Sequence, residues 1–183
     1  MKKIKKMIIW CSFFYKKKYL RGKYFRRDIV SIGWKWMVSA IFMQKIVGCN
    51  RHVPFPVSFK ATIKFWENIN FDIDNINIFQ KPGCYFQADG ATIAIGNGTQ
   101  IANNVGIITA NHDLNDITKH QVGKPVIIGE NSWIGMNSVI LPGVILGEHT
   151  IVGAGSVVTK SFSEGNCVIA GNPARLLKVL DKE

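Results

Sequence analysis

From Val122 to Val158 the apolar residues return at a fixed step of six: VGKPVI, IGENSW, IGMNSV, ILPGVI, LGEHTI, VGAGSV, with a seventh sextet opening at Val158. Each sextet begins with an aliphatic residue, usually followed by glycine. Counted back across one interruption, the same register puts Ile95, Ile101 and Ile107 at first positions. A fixed internal period marks a repeat architecture. The fifth position is as regular: Thr99, Val105, Val126, Ser132, Ser138, Val144, Thr150 and Ser156 are all small or β-branched. Alternation along a strand sends every second side chain to one face, so first positions point inward and sixth positions outward. The pattern predicts short strands stacked as a coil with flat sides around a narrow apolar interior. Gly96, Gly123, Gly129, Gly135, Gly147 and Gly153 are expected where the backbone turns sharply.

The rest of the chain departs from this period in informative ways. The opening MKKIKK-MIIWCSFF imitates a signal peptide, but its apolar run is short and lacks a small-residue cleavage site, so it reads as retained. Residues 29–47, IVSIGWKWMVSAIFMQKIV, predict a helix with Asp28 as N-cap and Gly48 as its stop. Lys35, Gln44 and Lys45 interrupt it, so it suits a membrane surface better than a membrane interior. Packing on the repeat region or on a partner subunit is the competing expectation. After the connector VPFPV, loose sextets open at Val57, Ile63 and Ile69 before an irregular stretch. Asn103 and Asn104 suit corners, since Asn tolerates left-handed backbone. Fifteen residues separate Ile107 from Val122, so a loop at about 112–121 must leave the coil. At the end, Asn172-Pro173 followed by Leu176, Leu177, Val179 and Leu180 predicts a short helix over about 173–181. The boundaries drawn are therefore 1–52 for a basic helical appendage and 53–183 for the repeat domain.

The formal net charge of +11 would raise nucleic acid as a partner, but the charge is not spread. Residues 1–51 hold 14 Lys and Arg against Asp28, which is +13; the remaining 9 basic and 11 acidic residues sum to −2. A nearly neutral repeat domain gives no reason to expect nucleic acid. Cys11, Cys49, Cys84 and Cys167 show neither a C-x-x-C pair nor close spacing, which fits reduced thiols in a cytosol.

The segments INFDID, CYFQADG, IITANHD, NSWIGMNSVILPGV, IVGAGSVVTK and AGNPARLLK resemble those of the hexapeptide-repeat acyltransferases, especially the maltose and galactoside O-acetyltransferases and the enzymes that acetylate capsular or exopolysaccharide sugars. The likeness runs from about Val57 to Lys178; the first fifty residues are more like the basic starts of the polysaccharide enzymes. It implies an all-β, left-handed parallel β-helix, a homotrimer with sites between subunits, acetyl-CoA as donor and no metal. A hydroxyl is a poor nucleophile until its proton is removed, and His112 matches the family's catalytic histidine, with Asp113 as a candidate to orient it. Met136 matches the backbone N–H that stabilises the thioester oxyanion. By the same resemblance Trp133, Gly135 and Ala154 line the cofactor with Thr159 and Lys160, while Arg175 and Lys178 lie near its phosphates. Gln87 matches a contact to the acceptor sugar, and Asp89 and Asn111 are further acceptor-side candidates. His120 is expected to close the loop and His149 to be an exposed turn residue.

These features together predict transfer of an acetyl group to a sugar hydroxyl of a cell-surface polysaccharide precursor, in the cytoplasm or on the inner face of the membrane, with the basic segment against anionic lipid. Maltose- or galactoside-type sugars, serine, and amino-sugar N-acetylation are alternative acceptor chemistries. Two readings of another class are a zinc carbonic anhydrase on the same fold, for which His112, His120 and His149 have no evident ligand spacing, and a non-catalytic scaffold.

Overall fold

The sextets build a three-sided parallel coil. The computed structural model describes residues 10, 12–26 and 31–181. After helix α1 (Ile32–Ile41) the chain forms β1 (Thr62–Lys64), β2 (Ile69–Phe71), β3 (Tyr85–Gln87), β4 (Ile93–Ile95), β5 (Gln100–Ile101) and β6 (Gly106–Ile108). Beyond a long loop come β7 (Val126–Ile128), β8 (Trp133–Ile134), β9 (Val139–Ile140), β10 (Ile145–Leu146), β11 (Thr150–Val152) and β12 (Val157–Val158), then β13 (Cys167–Gly171) and β14 (Ala174–Val179). Strands β1, β3, β6, β9 and β12 make a first sheet; β2, β4, β7 and β10 a second; β5, β8, β11, β13 and β14 a third. All pairings are parallel except β13 with β14.

Strand register stacks the inward residues into three columns. Ile63, Phe86, Ile107, Ile140 and Val158 align in the first sheet, and Phe71, Ile95, Ile128 and Leu146 in the second. Ile101, Ile134, Val152 and Ile169 align in the third. All but Phe71 are buried, and their removal from water is the main source of stability. The fifth-position hydroxyls are buried too, and each finds a corner carbonyl: Thr99 Oγ1 donates to Gly129 O at 2.9 Å and Ser138 Oγ to Gly153 O at 3.1 Å in the next coil, while Thr150 Oγ1 donates to Gly147 O at 2.7 Å and Ser156 Oγ to Gly153 O in their own. Polar side chains can therefore line an apolar shaft without loss.

The corner glycines follow a different rule from the expected one. Gly129 has ordinary φ, but a Cβ there would lie 2.5 Å from the Gly147 carbonyl carbon in the next coil. Close stacking of coils, not backbone handedness, requires glycine at the second position. The left-handed residue stands two places later: Asn104, Asn131, Asn137 and His149 have φ of 59, 54, 61 and 51°, which suits Asn well.

Val122 corrects the register. It is 88% exposed, while Val126 and Ile128 are buried, so the inward positions resume at residue 126 and the excursion extends past 121. Gly123 belongs to the loop's return, where a side chain would strike the backbone of Asp89 and Gly90.

The predicted C-terminal helix is a strand. Gly171, at φ +106°, and Asn172-Pro173 turn the chain back so that β14 runs antiparallel on β13, with Gly171 opposite Ala174 and Ala170 opposite Arg175. The edge of β13 offers unpaired backbone groups that β14 satisfies, and this outweighs the weak helical stripe. Ala174 alone is buried; Leu176, Leu177 and Val179 remain exposed.

At the other end the N-terminal segment covers the first coil. Asp28 and residues 1–9 lie outside the described residues, and the N-cap of α1 is Ser31, not the expected Asp28. Helix α1 buries Gly33, Met37, Ala40 and Ile41 on one face and widens into π-type turns over Phe42–Val47, ended by Gly48 at φ +105°. Tyr15, Phe25, Met37 and Ile41 join Val53, Phe55 and Ile63 in the same core. Here the shaft is filled by rings, Phe55, Phe71, Phe79 and Phe86, with consecutive centroids 5.3, 4.8 and 5.1 Å apart. Gln44, 1% exposed, ties the layer together: its Nε2 donates to the carbonyls of Asn50, Val53 and Phe55, while its Oε1 accepts from Tyr15 OH and Val57 N. Among the described residues no helix is long and apolar enough to cross a membrane.

Candidate active site

The loop between β6 and β7 leaves the corner joining the first and second sheets. Its exit is fixed by buried Thr109, whose Oγ1 donates to the carbonyls of Gln87 and Asp89 at 3.1 and 2.8 Å. Gln121 N donates to Asn111 O at 2.8 Å and Asp113 N to Lys119 O at 2.9 Å, and His112 pairs with His120 in an antiparallel bridge. The excursion is therefore a self-bonded hairpin with both histidines at its neck.

The carboxylate that meets a histidine is not the expected one. Asp113 Oδ1 accepts the N–H groups of Asn115 and Asp116 at 2.8 and 3.1 Å and shapes the hairpin end; no hydrogen bond joins it to the His112 ring. Asp116 binds Thr118 and forms an ion pair with Lys119 at 2.9 Å; the Thr118 hydroxyl, then Lys119, pull its carboxyl below the usual range. Asp89, at the same corner one coil earlier, places Oδ2 2.8 Å from His120 Nδ1. The His112 and His120 rings stand edge to face, centroids 4.6 Å apart and planes at 86°. Sequence reading placed Asp89 on the acceptor side and gave His120 a closing role, but nothing local joins residues 31 apart in the chain.

Gln87 ends β3 beside this corner, and its Oε1 is buried without a hydrogen-bond partner. Asn111 and His112 are exposed. Thr159 and Lys160 follow β12 and so occupy the same corner two coils further on; the Lys160 Nζ lies 5.6 Å from the Phe162 ring centroid.

The remaining predicted residues lie elsewhere on the prism. Trp133, 54% exposed, stands on the outer face of the third sheet, in a register row with Gln100, Ile151, Val168 and Lys178. Gly135, Met136 and Ala154 form the next corner, between the third and first sheets, where Gly155 N donates to Met136 O at 2.8 Å. Gly135 is buried against the Ala154 backbone, and Met136 and Ala154 are exposed. Arg175 and Lys178 lie on β14 at the end of the third sheet. Trp133, Met136 and Ala154 are thus separated from His112 by the first sheet, one prism side or roughly 15–20 Å at six residues per side. Among the described residues no three His, Cys, Asp or Glu side chains are arranged to hold a metal ion.

Residues 125–160 match the family model described as Bacterial transferase hexapeptide (six repeats). A Staphylococcus aureus (strain MRSA252) protein named as an acetyltransferase is 31% identical over 152 residues, 81% of this chain and 71% of that one. The chain belongs to the hexapeptide-repeat transferases. A Dictyostelium discoideum protein, also named as an acetyltransferase, is 49% identical over 105 residues, 56% of this chain and 54% of that one. This hexapeptide transferase spans about half the length of the first relatives it matches. The crystal structure of a maltose O-acetyltransferase from Clostridium difficile 630 superposes with a TM-score of 0.52 at 27% identity, covering 100% of this chain and 90% of that one.

Proposed function

We propose that this protein transfers an acetyl group from acetyl-CoA to a sugar hydroxyl, with His112 as general base, in a site completed by a second copy of the chain. The observation that carries the reading is an exposed histidine presented on a braced hairpin at the corner where Gln87 ends β3. In the reaction His112 takes the hydroxyl proton as the oxygen attacks the thioester carbon. The Met136 N–H of the second copy supports the oxyanion, the C–S bond breaks, and the imidazolium returns its proton to the departing thiolate.

The two-corner distribution supports a shared site. His112, Gln87, Asp89, Asn111, Thr159 and Lys160 gather at one corner; Trp133, Gly135, Met136 and Ala154 lie around another, with Arg175 and Lys178 beyond them. The left-handed winding and trimeric assembly implied by the family would set one chain's first-second corner against a neighbour's third sheet. The Staphylococcus and Dictyostelium proteins are named as acetyltransferases, which favours acetyl transfer, and the Clostridium protein as a maltose O-acetyltransferase, which favours a saccharide as acceptor. Thiol release from acetyl-CoA across a panel of mono- and disaccharides and lipid-linked precursors tests this: release that depends on a sugar is expected, and donor turnover with none of them would oppose it.

We further propose that the N-terminal cap rests on anionic membrane. Lys16, Lys17, Lys18, Arg21 and Lys23 are exposed beside Trp10, Phe13 and Phe14. Removing residues 1–50 would expose the core, so charge reversal is the cleaner probe. Lys17→Glu/Lys18→Glu/Arg21→Glu should lose cosedimentation with phosphatidylserine vesicles while keeping its thermal midpoint; equal binding would count against the idea.

A further inference from the structure

We infer that His120 and Asp89 are positioning residues for His112, an inference that rests on His112 being the base. An ionised carboxylate can only accept, so the 2.8 Å contact of Asp89 to His120 Nδ1 places the proton on that nitrogen and leaves the Nε2 lone pair free in the neutral ring. The backbone carbonyl of Asp89 is itself held by Thr109 Oγ1, so the short side chain that carries the carboxylate projects from a fixed point on the coil. His120 then stands directly across the hairpin neck from His112, with its ring at 86° to the other.

Each charged group around the pair has a definite place. Asp113, adjacent to His112, binds loop amides; Asp116 and Lys119 pair with each other further along the hairpin. Asp89 is the carboxylate that remains, and it reaches the base through His120. An exposed histidine on an extruded loop would otherwise sample several rotamers, and loss of near-attack geometry costs rate steeply. The edge-to-face contact restricts the His112 ring, and the Asp89 carboxylate holds His120 in the orientation that makes that contact. No additional covalent step is involved.

The test is steady-state kinetics of Asp89→Asn, His120→Phe and the double variant. His120→Phe keeps an aromatic ring at the neck and removes the Nδ1–H. Each single variant should lose kcat by up to about a hundredfold with the KM for acetyl-CoA unchanged, and the double variant should be no worse than either single one. Unchanged kcat in both single variants would overturn the inference, as would a raised acceptor KM at constant kcat in Asp89→Asn, which would make Asp89 a sugar ligand. His112→Ala, run alongside, separates the two levels: if it is inactive while the positioning variants are normal, only the inference fails; if it is fully active, the assignment of the base fails.

Discussion

His112→Ala should lower acetyl transfer by about 10²–10⁴-fold, the usual contribution of a positioned general base. The KM for acetyl-CoA should stay near its original value, because His112 acts on the acceptor hydroxyl and is not among the residues assigned to hold the donor, Trp133, Met136 and Ala154. The thermal midpoint should also hold, since the His112 side chain is exposed and makes no hydrogen bond that braces the coil. Rate and midpoint measured on one preparation separate loss of chemistry from loss of fold. Undiminished turnover would remove His112 from the reaction.

Gln44→Leu should have the largest effect on stability. Leucine fills nearly the same volume, so the loss is polar: Val57 N loses its acceptor and the Phe55 and Val53 carbonyls lose a donor, while Asn50 O keeps the Val53 N–H. Groups left buried and unpaired cost about 1–3 kcal/mol each; with partial rescue by water and by Lys45, which also reaches Val53 O at 3.1 Å, about 3–5 kcal/mol remains. For a chain of this size that lowers the thermal midpoint by about 10 °C. A shift below about 2 °C would mean that the cap is not anchored through Gln44.

Much of this fold can be read from the residues because the inward column is a local pattern. Ile95, Ile101, Ile107, Ile128, Ile134, Ile140, Leu146, Val152 and Val158 are all buried, and each follows from its own sextet. Val122 failed because VGKPVI has the form of a sextet while its first half lies on the returning limb of the loop; only the position of Asp89 and Gly90 against Gly123 reveals this. The segment after Pro173 failed for a different reason. Six residues with a mixed apolar pattern fit either period, and the deciding interaction is the free edge of β13, which belongs to another part of the chain. The site divides the same way. The outward placement of Trp133 and His112 followed from their sixth positions, whereas the Asp89–His120 contact and the partnerless Gln87 Oε1 depend on how successive coils stack at one corner.

A site shared between chains is tested most directly by subunit complementation. His112→Ala removes the base from the first-second corner, and Trp133→Glu places a carboxylate on the third-sheet face where an anionic donor would lie; each variant alone should be nearly inactive. Unfolded together in equal amounts and reassembled, they should recover about a quarter of the wild-type rate, because one in four neighbouring pairs joins an intact base to an intact donor face. Mixtures no more active than the separate variants would show that each chain holds a whole site and contradict the assembly proposed here.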